Sequence, residues 1–377
     1  MQLSVSGLSQ RYGRWGGNLW FASLIFLLLP VYLGFYNTAA IPALKIGLLA
    51  LSFTAYLLLA LKIYILDGHS KKELLLYSLV LALITLGVVF SGTRSLFSVF
   101  LLALGAKDVP FSKIAKVCLG FFAGVLVLNG ILVLTGVLED TLVIRGEAWG
   151  YGNVRHTLGF GYPNTLALWF MLAVFALLLR PKKGVYPWLP ALALSLAAFA
   201  LTDSKAAFFS SLLALLLWAV LYRLPLKGKA AGLTAAGLLA LIALIYTLLS
   251  LLYTPDSRIL ELCNTLLSQR LGYSAQGLRT FGVSLFGAHV DFGWDPVDSL
   301  YTYGPICLGL IPSFLYFALA LWSTYRAASR GKWEIAAVAI AAGLYCTMEY
   351  SLINPVLCTV FAACARLDDG KSETQNV

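Results

Sequence analysis

Arg258, Arg270, Arg279, Asp291, Asp295 and Asp298 crowd the stretch from Tyr253 to Ser299, in a chain whose other segments are nearly all apolar. A second group, Arg145, Glu147, Arg155 and His156, lies between Leu138 and Asn164 among Trp149, Tyr151, Phe160 and Tyr162. Arginines gathered in this way suit an anion, because the guanidinium fork makes charge-assisted and often two-pronged bonds to phosphate. A carboxylate or imidazole within hydrogen-bond reach of a hydroxyl takes its proton as that hydroxyl attacks. Aromatic faces suit the C–H faces of sugar rings, and they suit equally the interfacial belt of a membrane protein. Gly146, Gly150, Gly152, Gly159 and Gly161 let backbone approach a ligand closely. Leu201-Thr202-Asp203-Ser204-Lys205 forms a third, smaller patch. There Thr202 or Asp203 can cap the next helix, and the helix amino end with Lys205 makes a positive spot. As a cap alone this turn needs no function.

The elements that must position these residues are membrane helices. Apolar residues make up 60% of the 377 positions and charged residues 12%, and the mean hydropathy is +0.85, far from any soluble domain. Apolar runs long enough to span a bilayer, or nearly so, fall at 18–36, 43–61, 73–90, 115–137, 164–179, 187–201, 205–222, 230–252 and 300–322. Ser95 to Ala106 is a short addition. Ile335 to Ala365, broken by Glu349, Asn354 and Pro355, reads as two. The expectation is an all-α, polytopic membrane protein of twelve helices, residues 1–377 forming a single membrane domain with a disordered tail over 368–377. Glu349 reads as a lone carboxylate reaching for the interface.

Lysine and arginine in short loops resist translocation. With the N-terminus inside, 19 of them fall in cytoplasmic loops and 7 outside, Lys45 lying within a helix, out of 27. This split predicts both termini in the cytoplasm and makes much of the net charge of +10 topogenic. Nothing points to nucleic acid. The six cysteines are scattered, with no disulfide framework or metal-ligand spacing. The first helix lacks a small-residue cleavage site, so no cleavable signal peptide is expected.

Outer loops 138–163 and 253–299, the latter between the ninth and tenth helices, then form one candidate face. Within the larger loop, Thr254-Pro255 reads as a helix start. Ile259, Leu260, Leu262, Cys263, Leu266, Leu267 and Leu271 recur at helical spacing, with Arg258, Glu261, Thr265, Ser268 and Gln269 on the other face. Gly272 reads as the end of this helix, and a shorter one is expected from Ser274 to Phe281 before Gly282. Such an amphipathic hairpin lies on a membrane surface and suits a substrate with a charged head and an apolar tail.

Four segments carry a resemblance. Arg155-His156-Thr157-Leu158-Gly159-Phe160-Gly161-Tyr162-Pro163-Asn164, the turn Thr202-Asp203-Ser204-Lys205, Arg270 followed by Leu285-Phe286-Gly287, and Asp298-Ser299-Leu300-Tyr301 are together similar to the bacterial O-antigen and capsule polymerases, the Wzy-like family, and to their relatives the O-antigen ligases. Lys205 stands where that family often has arginine. Asp298 stands where ligases tend to carry histidine, which favours a polymerase.

The resemblance implies a GT-C-like glycosyltransferase of the bacterial inner membrane. It would take undecaprenyl diphosphate-linked oligosaccharides at the outer leaflet and join repeat units into capsule, O-antigen or another exopolysaccharide by inverting transfer. On this reading Arg155 and Arg270 neutralise the pyrophosphate, with Lys205, Arg279 and Arg145 as helpers. Asp298 is the base and His156 the second candidate, while Trp149, Tyr162 and Tyr301 contact sugar. Many membrane glycosyltransferases place a metal-binding carboxylate in their first outer loop, and Asn37 to Pro42 has none. No metal and no cofactor is therefore expected. A flippase and a chain-length regulator are the protein partners such a system implies.

The competing classes are a ligase-type transferase, a lipid-linked glycan transporter and a structural scaffold. A transporter tends to carry ionisable residues at mid-membrane in both halves of a repeat, and here Lys45 alone fits. A scaffold leaves the arginine-rich hairpin unexplained.

Overall fold

The computed structural model describes residues 5–34, 42–145, 152–179, 187–221, 226–292 and 297–350. Among them run fourteen α-helices: α1 (Val5–Leu33), α2 (Pro42–Leu61), α3 (Lys71–Ser91), α4 (Ser95–Leu104), α5 (Phe111–Leu134), α6 (Pro163–Leu178), α7 (Trp188–Thr202), α8 (Lys205–Leu221), α9 (Lys229–Leu252), α10 (Arg258–Leu266), α11 (Arg270–Phe281), α12 (Leu300–Tyr303), α13 (Leu310–Ser329) and α14 (Trp333–Tyr345). One antiparallel hairpin, β1 (Val143–Arg145) with β2 (Asn153–Arg155), interrupts the loop before α6.

Five helical segments are long and apolar enough to cross a membrane: Trp15–Leu33, Pro42–Leu66, Lys71–Ser91, Phe111–Leu134 and Lys229–Leu252. The apolar helices α4, α6, α7, α8 and α14 are shorter. Asn354, Pro355 and the expected twelfth helix lie outside the described residues, as does the tail over 368–377.

Burial sets two short helices apart from the long ones. α6 and α14 are buried at nearly every position, although α14 has 13 residues and spans roughly 20 Å, short of the ~30 Å hydrocarbon core. In the long helices α2, α3, α5 and α9 only 22–28% of the most apolar stretch is buried, which leaves apolar faces of the kind that suit lipid. α14 packs on α8, α9 and α13. Because this central helix stops short, the turn that follows it, carrying Met348 and Glu349, is enclosed.

The tenth span differs from the expectation. Instead of one helix over 300–322, α12 gives way to a π-helical turn at Gly304–Leu308 and the chain breaks at Gly309 before α13 begins. Freed backbone groups in a buried apolar segment need partners, and the segment over 284–288 supplies them. Leu310 N donates to Ser284 O at 2.8 Å, Ile311 N to Leu285 O at 3.0 Å and Ala288 N to Cys307 O at 3.0 Å. Gly287 (φ +102°) and Gly309 (φ +97°) lie back to back, and a Cβ on either would strike the backbone of the other segment. The Leu285-Phe286-Gly287 motif therefore serves this broken helix.

The loop hairpin also differs in detail. Ser257, not Thr254, caps α10, and α10 ends before Ser268 and Gln269, two non-glycine residues with φ of 54° and 68°. Gly272 lies inside α11, while Gly282 ends it as expected. On α10 the polar Asn264 is buried while Ile259, Leu262 and Leu266 are exposed, an orientation that suits contact with lipid.

Candidate functional site

Arg270 is the first residue of α11, and Asn264 sets where that helix begins. The Asn264 side chain accepts from Gly272 N at 2.9 Å and donates to Gln269 Oε1 at 2.5 Å, and its carbonyl accepts from Gln269 N at 2.8 Å. These bonds hold the left-handed pair Ser268-Gln269 in a conformation that costs a non-glycine residue on the order of 1–3 kcal/mol. The turn aims Arg270 inward. Its Nε donates to Met348 O at 2.5 Å, and its Nη2 lies 3.0 Å from Glu349 Oε1 and 3.2 Å from Asp298 Oδ2.

A second arginine reaches the same carboxylate through an amide. Arg155, at the end of β2, donates from Nε to Thr202 O at 2.5 Å and from Nη2 to Asn164 Oδ1 at 2.6 Å. Asn164, in the first turn of α6, donates from Nδ2 to Glu349 Oε1 at 3.0 Å. Five elements thus converge on one chain of contacts, Arg155 to Asn164 to Glu349 to Arg270 to Asp298. Both bonds to Glu349 fall on Oε1.

Burial decides the electrostatics. Glu349 is pushed up to about 7, because the cost of desolvating its charge outweighs the attraction of Arg270, and the negative Asp298 adds to the rise. Burial also raises Asp298, with Arg270 opposing. For Arg270, desolvation pulls down and the Glu349 and Asp298 charges more than offset it, so its pKa is raised. A carboxyl near 7 divides its population between acid and base at neutral pH, the condition a proton-transfer group requires.

The remaining expected residues occupy different places. His156 lies next to Arg155 but turns away from the array. Its Nδ1 is 2.6 Å from Asp140 Oδ2, and Asp140 Oδ1 accepts from the amides of Thr157 and Leu158. Successive side chains of an extended segment point to opposite sides, which separates the two. Lys205 is exposed at the start of α8 and lines an apolar cavity of about 670 Å³ with Phe209, Leu212, Leu216, Leu267, Leu344 and Met348. Arg279 is exposed and donates to Tyr253 O at 2.6 Å, lining a different, polar cleft. Tyr301 is withdrawn from any ligand: it is 4% exposed, stacks on Phe317 and donates its hydroxyl to Gly343 O. Tyr162 is exposed. Arg145 is placed through its backbone, opposite Asn153 in the hairpin, while its side chain and Trp149 lie outside the described residues. Asp291 is exposed, and Asp295 lies outside the described residues.

Asp298 does not cap α12. Ser299 does, its Oγ accepting from Tyr301 N and donating to Cys346 O. Beside Glu349, the rings of Tyr350 and Tyr303 stack at 4.3 Å and 14°, and Tyr350 remains 38% exposed.

Sequence reasoning missed three residues: Glu349, Asn164 and Asp140. For Glu349 the signal is its isolation, since an ionisable side chain in an apolar segment is by default a site candidate. Asn164 ends the first of the four segments that carry the resemblance but was given no role there, and Asp140 carries no comparable mark. The chain matches no family model, no curated protein and no solved structure.

Proposed function

We propose that this chain is a membrane glycosyltransferase that polymerises lipid-linked oligosaccharide repeat units into a surface polysaccharide, as the Wzy-like resemblance implies. In the full proposal it is a twelve-span protein of the bacterial inner membrane, both termini cytoplasmic, working at the outer leaflet on undecaprenyl diphosphate-linked donors without a metal. The observation that carries the reading is the Glu349 carboxyl, held through one oxygen by Asn164 and Arg270 and near 7 in pKa. An anion site alone would need the arginines and no such acid.

The proposed reaction follows from these positions. The acceptor hydroxyl oxygen bonds to the donor's anomeric carbon from the face opposite the leaving group. The bond from that carbon to the phosphate oxygen breaks, and the hydroxyl proton passes to Glu349, with Asp298 tuning Arg270. The diphosphate leaves with the electron pair, and Arg155 and Arg270 neutralise its developing charge. The Tyr303–Tyr350 stack takes over the sugar-facing role expected of Tyr301. The apolar cavity, lined by Lys205 and by the Met348 whose carbonyl Arg270 engages, suits a polyprenyl tail whose head group enters the array.

Deleting the gene in its source strain and profiling lipid-linked oligosaccharides tests this reading. Loss of the polymer ladder with accumulation of single repeats is the expected result, restored by the wild-type chain and not by Glu349→Gln. Full-length polymer retained on its lipid carrier would instead identify a ligase. An unchanged profile would overturn both.

A further inference from the structure

α11 has two working faces. Arg270 points to the array, while Gly272, Tyr273, Gln276, Arg279 and Thr280 line a separate cleft of about 520 Å³ together with Tyr253 and Asn264. That volume falls in the range of small-ligand sites. The cleft differs in kind from the apolar cavity below Lys205: its wall is made of amides, tyrosines, a threonine and one guanidinium, with Pro255 and Ala275 as its aliphatic part. Among the described residues that line it, Arg279 is the charged one, and the nearby Glu261 carboxylate is engaged by Tyr253 and Asn264, so an anionic ligand meets a cation.

The frame of the cleft is fixed before any ligand arrives. The side chain of Asn264 is tied to Gly272, Gln269, Tyr253 and Glu261, and Tyr253 donates its hydroxyl to Glu261. Arg279 Nη2 is pinned on Tyr253 O at 2.6 Å, which orients the fork without engaging it with an acid. Pre-organised walls of this kind reduce the ordering cost of binding. The chemistry assembled is a guanidinium, two aromatic rings and hydrogen-bonding amides, which suits a hydroxylated ring bearing a carboxylate. Nine residues of α11 separate Arg279 from Arg270, roughly 14 Å along the axis at 1.5 Å per residue. A group bound at Arg279 is therefore not the group reacting beside Glu349.

We infer that this cleft is a distal glycan subsite that holds an acidic sugar of the growing chain while its lipid-proximal end reacts at the array. The inference rests on the proposed glycan chemistry and assigns Arg279 to chain holding in place of the diphosphate. Holding the chain between additions lengthens the product without changing the first coupling.

Two measurements test it. The first uses purified full-length protein in detergent, titrated with a lipid-free hyaluronan tetrasaccharide as the acidic probe and maltotetraose as the neutral one. Arg279→Gln should weaken the acidic probe at least tenfold and leave the neutral probe within about twofold, and Gln276→Ala should weaken both. The second follows polymer length in the source strain. Both variants should shorten the modal chain several-fold while joining of the first two repeats continues at the wild-type rate. Unchanged acidic binding and unchanged chain length in Arg279→Gln would overturn the subsite. A first coupling that falls in step with chain length would return Arg279 to the reacting centre and overturn it as well. Failure of the wild type to make polymer would sink the proposed function, whereas the tetrasaccharide titration would still decide the subsite.

Discussion

Two buried charge clusters occupy opposite ends of the bundle, and they are built on different plans. α3 joins the two regions: its last turns meet the segment over 284–312, with Phe90 stacked on Phe286 and Gly87 against Pro312, and its first turn lies at the other end of this 21-residue helix, roughly 30 Å away. At that far end Lys62, 1% exposed, pairs with Asp67 at 2.5 Å and donates to Lys107 O, while Lys107 donates to Asp67 O. His69 is sealed beside them, 3.6 Å from Asp67 and edge-on to Tyr77. Three of the four members, Lys62, Asp67 and His69, are near neighbours in sequence, Lys107 being the fourth, and each lysine is matched by an acid or a carbonyl. The array at Glu349 draws its members from five elements, and its Arg270, Asp298 and Glu349 side chains keep 12–19% exposure. A sealed local cluster fixes a helix connection. An open cluster assembled from distant segments retains access for a ligand.

Rate and stability should therefore separate. Glu349→Gln is expected to cost the most turnover, about 10²- to 10⁴-fold, because the amide keeps the shape of the carboxylate and cannot take the proton. The wild-type rate should rise with pH through about 7 as Glu349 loses its proton. A profile that is flat from pH 6 to 8 would remove Glu349 as the base. Thermal melting of the variant should remain close to wild type.

Arg270→Lys comes next. A lysine cannot reach Met348 O and Glu349 together with one planar fork, and loss of one transition-state anion contact costs on the order of 2.7–4 kcal/mol. Arg258, exposed on α10, is the internal control, and Arg258→Lys should stay within about twofold. Equal rates for the two variants in a repeat-unit coupling assay would take Arg270 out of the site.

Lys62→Met is the counterpart at the sealed end. It leaves Asp67 buried without its cation and should cost about 3–5 kcal/mol of stability, read as a lower melting temperature in detergent. The molecules that remain folded should couple repeats at the wild-type rate. A rate loss at full stability would make this end a second site and erase the contrast.

The same contrast explains what the sequence disclosed. Apolar run length alone places α2 and α9, at Pro42–Leu61 and Lys229–Leu252, within a residue of the spans read at 43–61 and 230–252, because lipid-facing helices are governed by composition. Gly304-Pro305 and Gly309 lay unread inside the span at 300–322, and the segment that bonds the loosened backbone lies about twenty residues earlier and has no periodicity of its own. Arg155 and Arg270 stand out as cations in the two long polar loops. Their meeting at Glu349 spans 79 residues from Arg270, and Asn164 bridges 185, separations that no local pattern encodes. The break at Ser268-Gln269 was hidden for a related reason: a side-chain clamp from Asn264 enforces it, while Gly272 offered the cheaper local stop.

The smallest effect should come from His156, and it sharpens the boundary of the array. Asp140 accepts from His156 Nδ1 and from two backbone amides. Burial raises its pKa, and these hydrogen bonds more than offset that effect, leaving it below the ordinary carboxylate value. A depressed carboxylate contributes stability above its unfolded pKa and loses it as pH falls through the folded one, so this brace weakens only below about pH 4. His156→Gln keeps a donor for Asp140 and should change turnover by less than about threefold across pH 6 to 8. Asp140→Asn should lower the melting temperature, since the fixed amide lone pairs serve three donors less well, and should leave the pH profile at about 7 intact. If His156→Gln instead abolishes coupling while Glu349→Gln does not, the proton goes to the imidazole, and the array at Glu349 is an anion clamp beside it.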